Sequence, residues 1–291
     1  MRKLGWLLIF LALALGGCAG TEKFALSDLR QEAVAINDAG YAYYRQARWK
    51  LAHEKFSQAL RLNRLIDHRP GIAANLNNLG AIAQEQGDLD QARRYFEEAL
   101  AIHRELGDPA GLSESLNNLG TVFQAQGKTK EAGDCYRQAL AYAQQTPPGP
   151  LLSLSLTHLG DLAREGRDYQ QAIQLYRQAL ELDQGRKDLQ GQAVRWARLG
   201  RTYTALGDYH QASTLLQDSL NEMRRLENTQ GIVDALDGLT RLALAQGNRD
   251  EARSYGDRLL KIYLARNQAK EAGELEALLA GGEHRPGPLK P

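Results

Sequence analysis

The sequence predicts an all-α solenoid of antiparallel helix pairs, six pairs long. Three observations predict it. Like residues recur at a fixed spacing of forty, the signature of a stacked repeat. Within each copy the apolar residues fall three or four apart, the period of a helix with one buried face. Gly, Asp and Pro punctuate the runs, where helices stop and start. Composition agrees with a globular chain: 43% of the 291 residues are hydrophobic and 24% are charged. Lys plus Arg number 36 and Asp plus Glu 35, net +1, which lacks the basic excess of a nucleic-acid binder. Two cysteines exclude a disulfide-rich scaffold.

The repeat shows in four columns. Gly40, Gly80, Gly120, Gly160 and Gly200 form the first, and Thr240 takes the sixth place. Ala52, Ala92, Ala132, Ala172, Ala212 and Ala252 follow twelve residues on, and Leu60, Leu100, Leu140, Leu180, Leu220 and Leu260 twenty on. Phe56, Phe96, Tyr136 and Tyr176 make an aromatic column that ends in Leu216 and Gly256. Ser27 is a fitting N-cap for the first helix. In the second copy Leu76, Leu79, Ile82 and Ala83 share one face before Gly87-Asp88 breaks the chain. Leu89, Ala92, Phe96, Ala99 and Leu100 then mark a second helix, ending near Gly107. Asp108-Pro109 restarts the chain as N-cap and first-turn proline. The sixth copy has decayed at Thr240, Gly256 and Leu259, as suits a terminal repeat. A polar-faced capping helix is expected over 268–280, so the solenoid spans 27–280 with its repeats at about 33–272. Residues 281–291 hold three Pro and three Gly and are expected to be disordered.

These columns resemble the tetratricopeptide repeat family. The carriers are the Leu-Gly pair, Ala twelve after the Gly, an aromatic sixteen after and Ala-Leu nineteen after, over some 240 residues. The resemblance implies a right-handed superhelix with a concave groove. The family's repeat has 34 residues and a proline at its end, whereas this one has 40 and no such proline, so the extra length belongs to helices or connections. The Leu-Asn-Asn-Leu runs at Leu76–Leu79 and Leu116–Leu119 resemble the longer-repeat branch that includes kinesin light chain. Trp196 alone fills the family's Trp column, which makes it a packing residue.

The first seventeen residues differ from the rest. Met1-Arg2-Lys3 precede an apolar run, Leu4 to Leu15, too short to span a bilayer core and suited to a signal h-region. Leu15-Gly16-Gly17-Cys18 resembles a bacterial lipobox, which implies removal of residues 1–17 and lipid on Cys18, with a linker to residue 26. An ordinary signal peptide or weak membrane anchor is the alternative. Cleavage removes Arg2 and Lys3, taking 36 basic residues to 34 against 35 acidic ones, net −1. Ala19 after the cysteine implies the outer membrane, facing the periplasm, in a Gram-negative source.

No His-Glu-x-x-His, P-loop, Gly-x-Ser-x-Gly or paired Cys is present, and the six histidines lack metal-ligand spacing, so neither an enzyme nor a cofactor beyond the Cys18 lipid is expected. Cys135 reads as a spare thiol. In the family the groove is lined from the first helix of each pair. Carried over, that places Asn37 and Tyr41 in repeat one, Asn77 and Asn78 in repeat two, Asn117, Asn118 and Gln124 in repeat three, His158 and Arg164 in repeat four, Arg198 and Arg201 in repeat five and Arg241 in repeat six. Stacked carboxamides suit an extended peptide backbone. Arginines suit carboxylates through forked contacts. Asp161 and Asp237 can instead neutralise those arginines.

The expected function is a membrane-tethered, non-enzymatic adaptor of the bacterial envelope that grips an extended protein segment with an acidic portion or C-terminal carboxylate. Assembly of a secretion or pilus complex and organisation of cell-wall enzymes both fit, and no nucleic-acid partner is expected. The alternative is a module that binds glycans or anionic small molecules.

Overall fold

A computed structural model describes residues 26–281, so the leader, Cys18 and the last ten residues lie outside the described residues. The described residues are all α, with no strand. They fall into two compact units that divide between Thr146 and Pro147. Unit one holds α1 (26–45), α2 (Trp49–Leu65), α3 (Arg69–Glu85), α4 (Leu89–Leu106), α5 (Pro109–Ala125) and α6 (Thr129–Ala143). Unit two holds α7 (Pro150–Glu165), α8 (Tyr169–Gly185), α9 (Leu189–Leu206), α10 (Tyr209–Arg225), α11 (Thr229–Gln246), α12 (Arg249–Ala265) and α13 (Ala269–Gly281). Within each unit consecutive helices pack on one another, and alternate first helices also touch: α3 on α5 in unit one, α7 on α9 and α9 on α11 in unit two.

The helices end on a recurring turn. A residue with positive φ stands at 47, 67, 87, 107, 127, 167, 187, 207, 227, 247 and 267, one every twenty residues. That left-handed step turns the chain back and lets the next amide reach a carbonyl of the last helical turn, as Asp88 N does to Ala83 O at 2.9 Å. The following residue then caps the new helix: Asp88, Asp168 and Asp208 each accept from an amide three residues on. Position 147 breaks the series. The ring of Pro147 fixes φ near −65°, so this step cannot form there, and the Pro147-Pro148-Gly149 connection is where the two units divide.

Each pair is locked by one close approach. A Cβ on Gly80 would meet the Phe96 ring at 2.5 Å, and one on Gly160 would meet Tyr176 at 2.6 Å. Gly40 faces Phe56 and Gly120 faces Tyr136 in the same way. Gly200 faces the smaller Leu216. The rings are buried, and so is the whole Ala column from Ala52 to Ala252. The Leu column is less uniform: Leu60 and Leu220 are buried, whereas Leu100, Leu140, Leu180 and Leu260 are only half-buried at the outer edge between second helices. Repeat six is rearranged, not simply eroded. Thr240 is fully buried and donates to Leu236 O at 2.8 Å, while Gly256 leaves space that Leu279 of α13 enters. Ala272 and Leu275 of α13 are buried as well, so this helix closes the apolar end of unit two.

Because the Gly120 Cβ position is occupied by the Tyr136 ring, Gly120→Ala is expected to lower unfolding stability by about 2 kcal/mol. Urea unfolding of the variant checks this.

Candidate functional site

The first helices of each unit present a face, and the two faces have different chemistry. In unit one, α1, α3 and α5 carry carboxamides and hydroxyls. Asn37 Oδ1 accepts from Asn75 Nδ2 at 2.8 Å and from Asn78 Nδ2 at 2.9 Å. Asn75 Oδ1 accepts from Asn63 Nδ2 at 2.8 Å, and the Tyr41 hydroxyl donates to Asn78 Oδ1 at 2.8 Å. Asn77 Oδ1 accepts from Ser115 Oγ at 3.2 Å. Asn77, Asn78 and Asn117 are only 2%, 7% and 1% exposed. This corrects the expected ladder of groove carboxamides. Asn37, Asn75, Asn77 and Asn78 thus bond from repeat to repeat, which leaves them little to offer a ligand. Tyr41 stays 43% exposed, with its ring edge on Phe56. Asn118 and Gln124 are half-buried, and Gln124 Oε1 accepts from the Tyr136 hydroxyl. Thr121 Oγ1 donates to Gln84 Oε1 at 3.0 Å.

Sequence reasoning missed Asn63 and Asn75, both buried members of this network. It also missed their signal, a glycine eight residues after each large polar side chain at the end of the second helix. Gly71 makes room for Asn63, Gly111 for His103 and Gly191 for Asp183. His103 is buried, with Nδ1 at 3.1 Å from Asp108 Oδ2. Asp183 is fully buried and forms ion pairs with Arg186 at 2.6 Å and Arg195 at 3.2 Å.

In unit two the face is charged. α7 supplies His158, Asp161 and Arg164, α9 supplies Arg198, Arg201 and Thr204, and α11 supplies Asp234, Asp237 and Arg241. Arg198 Nε lies 3.3 Å from Asp161 Oδ1, which also accepts from the Tyr176 hydroxyl at 2.7 Å. Arg201 donates to the Asp234 carbonyl at 2.6 Å and lies 3.3 Å from Asp237 Oδ2. Arg241 Nε donates to both carboxylate oxygens of Asp237, at 2.9 and 3.0 Å. Arg164 has no carboxylate partner among the described residues, and its buried Nε has no acceptor. On α7, α9 and α11 four guanidinium groups stand with three carboxylates, and α13 adds Glu271 and Glu274 beside Asp237 and Arg241 in the adjoining cleft. Burial lowers Arg201, against the pull of Asp237 and Asp234. Burial likewise pushes the Tyr176 phenol up, and the Asp161 carboxylate adds to it.

A cleft of about 360 Å³ opens on this face, lined by Arg164, Arg201, Thr204, Ala205, Asp237, Gly238 and Arg241. It gathers three of the four arginines expected to line a groove and leaves Arg198 outside, held by Asp161. Cys135 is half-buried elsewhere, and burial, with Asp134 and Glu131 beside it, pushes its thiol up to about 11, far from a nucleophile's range.

The tetratricopeptide repeat model matches residues 30–105, 71–145, 111–185 and 192–265. The chain belongs to the tetratricopeptide repeat family. Members of this family are interaction modules, so protein–protein interaction is the class of function. No curated protein sequence matches the chain. Among solved structures it is similar to BtubC from P. vanneervenii, at 21% identity over 82% of this chain and 94% of that one, TM-score 0.59. PilF of Pseudomonas aeruginosa matches at 22% identity over 84% and 99%, TM-score 0.53. A Rap protein complexed with competence and sporulation factor matches at 13% over 87% and 74%, TM-score 0.64. These likenesses carry the fold of the tetratricopeptide repeat solenoid alone. No described helix is long and apolar enough to cross a membrane.

Burial holds the His158 imidazole down at about 4; Arg198 and Arg195 act the same way and Asp161 opposes them. The folded state therefore binds fewer protons than the unfolded state between about 4 and 6.5, and stability rises with pH across that window. Acidification from 6.5 to 4 should weaken unit two by up to about 3 kcal/mol. His158→Asn, which copies the residue at the equivalent position 118, should flatten that pH dependence. Urea midpoints measured across the window check this.

Proposed function

We propose that the protein is a membrane-tethered, non-enzymatic adaptor of a bacterial envelope that holds an acidic stretch of a partner protein on the first-helix face of unit two. The observation that carries this reading is the arginine-lined cleft together with Arg164, whose buried Nε has no acceptor and which has no carboxylate partner among the described residues. A carboxylate entering beside Arg164 and Arg241 accepts forked hydrogen bonds. Thr204 adds a hydroxyl to the wall. Asn37, Asn75 and Asn78 of unit one are already bonded to one another and unit one's face carries no arginine cluster among the described residues, so the acidic part of the ligand is assigned to unit two. The Rap structure, solved with a bound factor, supports capture of a ligand by this kind of fold. The tether rests on the lipobox-like run ending at Cys18. Two or more acyl chains there give stable anchoring, as one does not. Assembly of a secretion or pilus complex and organisation of cell-wall enzymes are the roles that suit such an adaptor.

The test is photo-crosslinking in the source cells from Ala205, which lines the cleft and is exposed. A discrete protein adduct is expected, and it should be lost with Arg164→Glu and Arg241→Glu. Arg164 is chosen because it lacks a carboxylate partner among the described residues; Arg241 is 57% exposed but pairs with Asp237, so thermal unfolding of both variants is measured beside the crosslinking. Reversal at Arg198 or Arg201 would break half-buried ion pairs and confuse binding with stability. Cys18→Ala should release the protein from the membrane fraction. An adduct that survives both reversals sinks the cleft assignment, and retention of Cys18→Ala in membranes sinks the lipid tether.

A further inference from the structure

The outer side of unit two carries a second cleft that the arginine face does not explain. It has a volume of about 370 Å³ and lies between α8 and α10, above α9. Leu180, Leu199, Leu215 and Tyr203 make its floor and walls. Leu199 and Tyr203 are part of the core, at 3% and 8% exposure, while Leu180 and Leu215 are half-buried. The half-buried Leu180 belongs to the leucine column that the repeat leaves at this outer edge.

The rim is what makes this cleft unlike the same place in unit one. Arg177 and His210 stand at its edges, with Gln211 and Thr214 between. Arg177 donates to the Tyr203 hydroxyl at 2.8 Å and meets no carboxylate among the described residues. Asp208, in the turn before α10, is already bonded to the amide and side chain of Gln211. Eighty residues earlier, the positions of Arg177, Gln211 and Thr214 hold Glu97, Glu131 and Asp134. In unit one Glu97 pairs with Arg93 and Asp134 with Arg137, and Lys130 stands where unit two has His210, so that position balances its own charges. The rim of the unit-two cleft therefore combines an apolar floor, one uncompensated guanidinium, one histidine and no acid.

We propose that this cleft is a docking site for an amphipathic segment of a partner protein, which inserts a large apolar side chain between Leu180 and Leu215 and places a carboxylate one helical turn away on Arg177. An apolar anchor in a pocket carries most of the energy of a small interface, and a charged contact at its rim fixes register and specificity. An open cleft walled by exposed helix residues suits a protruding side chain better than an enclosed small molecule. The chain's own tail, Gly282 to Pro291, carries Arg285 and Lys290 against the single Glu283 and has the wrong charge for Arg177. The site lies on the second-helix side and is independent of the arginine cleft between α7, α9 and α11.

The test is selection of a random sixteen-residue peptide library on the full chain. The selected family should share a large apolar residue with Asp or Glu three or four positions away. A synthetic member should lose at least about ten-fold in affinity to Arg177→Glu and to Thr214→Arg, and keep its affinity for Arg164→Gln. Both cleft variants change exposed side chains, so circular dichroism should show an unchanged fold. Selection of nothing, selection of basic peptides, or binding insensitive to both cleft variants overturns the proposal. So does binding that emerges only after truncation at residue 281, since the tail would then be the occupant.

Discussion

The close approach of two helices at a glycine opposite a ring is the constraint on which the rest depends. Where Gly80 lies against Phe96 or Gly160 against Tyr176, the second helix of the pair can sit at one depth and one rotation only. The left-handed turn every twenty residues then delivers each following helix in the same register. Depth and register together decide which flank of each first helix meets its neighbour and which stays open. The buried asparagines of unit one and the open arginines of unit two are consequences of that choice.

The two units use the same frame for different ends. In unit one Asn37, Asn63, Asn75 and Asn78 bond to one another between repeats, although Asn77 Nδ2 has no hydrogen-bond partner among the described residues. Neutral carboxamide pairs suit this role because each supplies donors and an acceptor without the desolvation penalty of a buried charge. In unit two the equivalent layer is ionic, from Asp183 with Arg186 and Arg195 at its interior to Asp237 with Arg201 and Arg241 at its surface. Arg164 alone of the arginines on this face meets no carboxylate among the described residues. A face built this way is held by its own ion pairs and still attracts an anion.

The repeat was legible in the sequence because its columns record packing directly. Gly, Ala and ring positions each fill one space, and six copies repeat the statement. That Arg164, Arg201 and Arg241 share one cleft follows in the same way from the helix period, whereas Arg198 is held outside it by Asp161. The asparagines were misplaced because the two residues before Leu79 and before Leu119 lie at the border between flank and open face, and a border position is settled by the neighbouring helix, not by its own. Thr240 and Gly256 read as decay in a column-by-column comparison. Only the arrival of Leu279 from α13 shows that the space is filled from outside the repeat. The outer cleft was not legible either, because it depends on Leu180, Tyr203 and Leu215 from three helices, none of them unusual alone.

The central claim is that anion recognition belongs to the arginines of unit two and not to the carboxamides of unit one. Titration of the full chain with a short glutamate peptide, followed by NMR of arginine Nε–H and asparagine side-chain amides, tests it most directly. The account predicts that the Arg164 and Arg241 signals move with peptide concentration while those of Asn75 and Asn78 stay fixed. Movement of the asparagine amides with static arginine signals would contradict it.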